Sequence, residues 1–124
     1  MGQKVVILGA SDKPERYAWT AFNMLREYGH IPLPVSPTLK SIDGVAVSAS
    51  LGEIKGAVDT LTMYVNPKIS SRLRADILRL NPKRVIFTPG SENPELAKEL
   101  KQVGIHTIDA CTMVLLRTAQ FETA

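Results

Sequence analysis

One cysteine, few aromatics and no long apolar segment set the first limits on this chain. Cys111 stands alone, so no intramolecular disulfide can form. No apolar run approaches the ~20 residues that cross a bilayer. No apolar segment follows a charged start in the manner of a signal peptide, and a cytoplasmic protein without membrane attachment is the expectation. Lys and Arg nowhere run longer than two. With 15 basic and 12 acidic residues, the net charge of +3 is too mild and scattered to argue for a nucleic-acid groove. Modest positive charge suits a small polyanion instead. The metal-ligand spacings C-x-x-C and H-E-x-x-H are missing, as is a G-x-S-x-G elbow. His30 and His106 each open a predicted strand, at the sheet end opposite any ligand, which places neither as a general base. No catalytic and no metal-binding residues are therefore expected, and the chain is read as a non-enzyme.

What is present is a single α/β domain over residues 1–124, with 44% hydrophobic residues drawn mainly from Val, Ile and Leu. Five strand-length apolar runs stand out: Val5 to Leu8, Ile31 to Val35, Val58 to Met63, Arg84 to Phe87 and Ile105 to Ile108. Helical spacing separates most of them. Ala18, Ala21, Phe22 and Leu25 recur at i, i+3, i+4, i+7 before Gly29. Ile69, Leu73, Ile77 and Leu80 form a second face ending before Asn81-Pro82, with Ser70, Arg72, Arg74 and Asp76 left for solvent. Leu96, Leu100 and Val103 form a third, entered through Asn93-Pro94 and closed by Gly104. The segment Ser36 to Gly56 breaks this rhythm, with a short strand at Val45 to Val47 and a helical turn around Ser50 to Ile54. The expected architecture is a Rossmann-like, doubly wound, parallel five-stranded sheet with helices on both faces and strand order 3-2-1-4-5. Ligand would then bind between the loops Gly9 to Arg16 and Thr88 to Asn93.

The first strand ends Val5-Val6-Ile7-Leu8-Gly9-Ala10-Ser11, a buried parallel strand delivering its loop to a phosphate at the next helix N-terminus. A dinucleotide site would want G-x-G-x-x-G there, and Gly9-Ala10-Ser11-Asp12-Lys13-Pro14 lacks the second and third glycines. It would also want an acid after the second strand, where Ser36 and Pro37 stand. NAD is disfavoured on both counts.

These residues resemble the small single-domain CoA-binding proteins, related to the CoA-binding domain of the succinyl-CoA synthetase alpha subunit. The matching strings are V-V-I-L-G-A-S, E-Y-G-H-I-P-L-P-V-S-P, V-D-T-L-T-M-Y-V-N-P, R-V-I-F-T-P-G-S-E-N and G-I-H-T-I-D-A-C, in the family's order from about Lys4 to Cys111. The resemblance implies that coenzyme A or an acyl-CoA binds here. Gly9, Ala10 and Ser11 would cradle phosphate through backbone amides and the Ser11 hydroxyl, and Lys13 and Arg16 would neutralise it, with Tyr17 beside them. Val35, Ser36 and Pro37 would line the adenosine end, where Lys40 is the nearest cation. Tyr64, Val65 and Asn66 would close over it, and Pro89 and Gly90 would shape the crevice along the pantetheine arm. Two features depart from the family: Ser36-Pro37-Thr38 replaces Asn-Pro-Lys, and Val65-Asn66-Pro67 carries no arginine. Cys111, at the start of the last helix, is a candidate for a mixed disulfide with the CoA thiol.

The function expected is therefore non-catalytic binding of CoA or acyl-CoA as a sensor, carrier or regulatory module. The alternative is an NAD(P)-binding oxidoreductase or a subunit of a split acyl-CoA ligase. A small-molecule nucleotide ligand is the expected partner. Homodimerisation is also expected, through exposed faces of the last helix that include Val114 and Leu115.

Overall fold

The computed structural model describes residues 2–124. Five parallel strands form the main sheet: β1 (Lys4–Leu8), β2 (Ile31–Val35), β5 (Thr60–Met63), β6 (Arg84–Phe87) and β7 (His106–Asp109). Between β2 and β5 lie a small antiparallel hairpin, β3 (Ser41–Ile42) and β4 (Val45–Ala46), and a single 3-10 turn at Leu51–Glu53. The helices are α1 (Tyr17–Glu27), α2 (Pro67–Arg72), α3 (Arg74–Leu80), α4 (Pro94–Gln102) and α5 (Thr112–Arg117).

Alternation along the buried strands divides the core into two layers. Val6, Leu8, Leu61, Met63, Val85 and Phe87 face one side, where they meet Ile77 of α3 and Leu96 and Leu100 of α4. Val5, Ile7 and Ile86 face the other, against Phe22 and Leu25 of α1, Leu115 and Leu116 of α5, and Ile42 of the hairpin. The doubly wound α/β architecture is the one the five apolar runs predicted.

The strand order differs from expectation. The sheet runs β2-β1-β5-β6-β7, which is 2-1-3-4-5 when only its five strands are counted, so the third strand pairs with β1 and not with β2. Proline supplies the reason. The amide of Ile31 points inward to the carbonyl of Gln3, so alternation turns Pro32 and Pro34 toward the other side, where neither has an N–H to give. A strand with two prolines on one side can have a ladder neighbour only on the other, and β2 is therefore an edge. Part of its outer side is covered where the Ser48 amide donates to the Pro34 carbonyl and the Ser36 amide to the Ser48 carbonyl (3.0 Å each).

Three smaller expectations also change. The second helical pattern divides at Leu73, where ψ rises to 7°. This leaves Ile69 partly exposed and buries Ser70 completely, contrary to its place on the predicted solvent face. Val103 is 61% exposed past the end of α4. Leu115 is buried in the core, so of the last helix's two proposed dimer contacts only Val114 faces solvent.

Candidate functional site

With this order the winding reverses direction between β1 and β5, and ligands of open α/β sheets bind outside the C-terminal strand ends at such a point. A crevice of about 620 Å³ opens there. It lies between the loops after β1 and β5, with the loop after β6 as a third wall, whereas the expected order placed it between the first and last of these alone.

Gly9 holds the floor together. Its φ is +90°, and a Cβ there would lie 2.9 Å from both the Tyr64 carbonyl oxygen and Val65 Cγ1. Only glycine lets the β1 and β5 loops approach so closely. The Gly9 and Ala10 amides, expected to meet phosphate, both donate to the Val35 carbonyl, at 3.2 and 3.0 Å. Between Ser11 and Ala18, the amides without an acceptor are those of Ser11, Asp12 and Glu15 in the loop and of Tyr17 and Ala18 opening α1. Helix α1 has no side-chain cap at Arg16, so its first N–H groups are left for solvent or an anion. The Ser11 hydroxyl accepts from the Lys13 amide (3.1 Å), which fixes the turn that precedes the helix.

The crevice brings together eleven of the sixteen residues expected there: Gly9, Ala10, Ser11, Lys13, Arg16, Tyr17, Tyr64, Val65, Asn66, Pro89 and Gly90. It adds Glu15, Ala18, Thr88 and Ser91, which the motif reading passed over. Glu15 sits between two of the loop's cations in sequence, a signal that was legible. Thr88 and Ser91 carried none, because their role is to shape the β6 loop: the Thr88 hydroxyl donates to the Met63 carbonyl and the Ser91 hydroxyl to the Thr88 carbonyl.

The other five stand apart. Val35 is buried, and its contribution is the carbonyl that engages Gly9 and Ala10. The Ser36 hydroxyl accepts from the Thr38 and Leu39 amides (3.3 and 3.4 Å), so this serine forms a turn beside exposed Pro37. Lys40 is exposed at the entry to the hairpin. Cys111 is partly buried at the N-cap position of α5, outside the crevice lining.

Tyr64 lines the crevice with part of its surface and packs against the α1 and α5 core with the rest. Its hydroxyl is the one buried side-chain polar atom among the described residues without a hydrogen-bond partner. Burial pushes its pKa up to about 12, a rise opposed by neighbouring Thr62 and Thr112 and reinforced by Cys111. The two threonine hydroxyls bond each other at 2.8 Å. Tyr64 therefore stays neutral and acts as a wall.

The remaining walls are joined by Asn93. Its Oδ1 accepts from the Leu96 amide and caps α4, while its Nδ2 donates to Ser70 Oγ (2.9 Å), Ser71 Oγ (3.0 Å) and the Pro67 carbonyl (3.3 Å). Asn66 caps α2 in the same way, accepting from the Ile69 amide at 3.0 Å.

Residues 3–117 match the family described as CoA binding domain. The chain belongs to this family. As a CoA binding domain it is 26% identical over 113 residues to the YneT protein of Bacillus subtilis (strain 168), covering 90% of this chain and 84% of that protein. A Thermus thermophilus structure, cell-free ID.343, superposes with a TM-score of 0.89 at 32% identity, over 97% of this chain and 91% of that one. The dinucleotide-forming acetyl-coenzyme A synthetase 1 of Ca. Korarchaeum cryptofilum shares the fold, with a TM-score of 0.73 at 19% identity. That match covers 87% of this chain and 25% of the synthetase.

Proposed function

We propose that the crevice binds coenzyme A or an acyl-CoA, and that the chain does so without catalysing a reaction, as a cytoplasmic sensor, carrier or regulatory module. The observation that carries this reading is the uncapped N-terminus of α1, with free amides at Ser11, Asp12, Tyr17 and Ala18, opening into a crevice that Lys13 and Arg16 also line. Oriented amides and two cations are what a diphosphate needs. Membership of the CoA binding domain family supplies the choice of nucleotide. The family's group fits these residues through its phosphates. When bound it would supply a thiol or thioester, and this chain's part is to hold the anion. NAD(P) has less support, because β2 ends in a serine turn and presents no carboxylate to a ribose.

The test is a thermal-shift series with CoA, acetyl-CoA, NADH, NADPH and ATP. A ligand that binds only the folded state stabilises it by about 2.7 kcal/mol at a hundredfold excess over Kd. CoA and its thioester are expected to raise Tm most. The double variant K13E/R16E is expected to lose roughly tenfold or more in CoA affinity, by calorimetry, through reversal of two phosphate-facing charges. Stabilisation by NADH alone would overturn the reading.

A further inference from the structure

The two edges of the main sheet are built differently. On β2 the outward positions are Pro32 and Pro34, without donors, and a loop covers part of that side. On β7 the His106 amide points inward to the Lys83 carbonyl and the Ala110 amide to the Phe87 carbonyl. The intervening alternation turns the N–H and C=O groups of Thr107 and Asp109 outward, and among the described residues no strand meets them. One edge is thus blunted by the devices that prevent pairing, and the other keeps its donors and acceptors in register.

Beside this open edge runs a groove of about 580 Å³ between β7 and α4, lined by Ala97, Lys98, Lys101, Thr107 and Asp109 among others. In sequence the strand is bracketed by two exposed apolar side chains, Val103 at the end of α4 and Val114 on α5.

We infer that β7 is the interface for a second copy of this chain, joined edge to edge in antiparallel fashion into a ten-stranded sheet. Outward-facing residues must meet outward-facing residues, which restricts a two-fold register. Setting Thr107 opposite the partner's Asp109 lets each such pair exchange both N–H···O bonds, giving four across the axis, and brings Ile108 against the partner's Ile108 on the α5 side. The charges agree with this register. Because α4 runs back toward the start of β7, Lys101 lies at the Thr107 end of the groove, where the partner's Asp109 carboxylate arrives. An acidic lining would have opposed that pairing. Isologous contacts of this kind close on themselves and leave only the two blunted β2 edges at the ends of the sheet.

Sedimentation velocity over a micromolar to millimolar range is the test, together with amide hydrogen exchange. A dimer is expected, with slow exchange at the Thr107 and Asp109 amides that becomes fast on dilution. Thr107→Pro repeats on β7 the device found on β2 and removes no bond within the chain. It is expected to weaken the dimer roughly tenfold or more while the thermal melt of the monomer is retained. Should that variant fail to fold, Thr107→Glu, which sets a carboxylate directly opposite the partner's Asp109, serves the same purpose and is also expected to give monomer. Ile31→Lys on the β2 edge is expected to leave the dimer intact. A wild-type chain that stays monomeric throughout, or a dimer that survives both Thr107 variants, would overturn the inference.

Discussion

The two ends of the parallel sheet use polar groups in opposite ways. At the N-terminal end, Arg84 opens β6 almost fully buried, and its guanidinium donates to Thr60 Oγ1 (3.1 Å), Gln3 Oε1 (3.3 Å) and the carbonyls of Phe121 (2.5 Å) and Ala124 (2.9 Å). It also lies 4.5 Å over the Phe121 ring, against which His30 packs from another side at 4.8 Å. Burial holds its pKa below the ordinary value, with Asp59 opposing that drift. At the C-terminal end, the amides that open α1 and the side chains of Lys13 and Arg16 have no comparable partners. The Arg84 cluster has its hydrogen bonds closed within the chain, whereas the opening of α1 leaves several donors without an acceptor. Stability and binding should therefore respond to different substitutions.

The sharpest way to break this contrast is Arg84→Met. Removing a buried donor to four acceptors leaves Thr60, Gln3 and two carbonyls to be satisfied by water, which should cost about 3 kcal/mol or more. Denaturant unfolding should show that loss while CoA affinity of the folded protein stays near wild type. A large affinity change would mean the two ends are coupled.

Gly9→Ala comes next, at about 2–3 kcal/mol, because a positive φ and a Cβ pressed against the Tyr64 carbonyl both act against it. This residue belongs to the crevice by position and to the stabilising framework by energy, so the variant should lose stability and affinity together. Unaltered unfolding in Gly9→Ala would show that the loop relaxes.

A pH series sharpens the comparison further. Burial, the largest cause, holds the His30 pKa below 6.5, with nearby Arg84 acting in the same direction and Glu122 opposing. The unfolded chain therefore takes up a proton that the folded one resists. Its stabilising contribution is complete above pH 6.5 and is lost as pH falls from there through the lower folded-state value. His30→Gln should flatten that slope in unfolding experiments, and an unchanged slope would assign it to other groups. The smallest expected effect belongs to K13E/R16E, whose stability should remain within about 0.5 kcal/mol of wild type because both side chains are exposed.

Much of this molecule was legible in the residues. The five apolar runs, the α1 face from Ala18 to Leu25 and the caps at Asn93 and Gly104 follow from periodicity and local chemistry, and the structure places them where that reading did. The strand order did not follow from crossover rules, since both orders satisfy them. The signal lay in Pro32 and Pro34, whose missing donors demand an edge. Val103 and Ser70 departed from the helical pattern because a helix end and a break at Leu73 rotate the final residues off the common face. At the site, glycine and the loop cations were readable as a group. Which amides stay free was not, because that depends on a carbonyl at Val35, contributed by a strand more than twenty residues away in sequence.

The bonds of Asn93 bear on how the crevice can move. A single amide side chain fastens the cap of α4 to Pro67, Ser70 and Ser71 of α2, so the lips formed after β5 and after β6 are riveted into one jaw. The α1 loop on the facing side has a different anchor, the Val35 carbonyl at the end of β2. If the crevice takes a nucleotide as proposed, those two lips should respond to it as one body, while the α1 loop answers separately across the Gly9 contact.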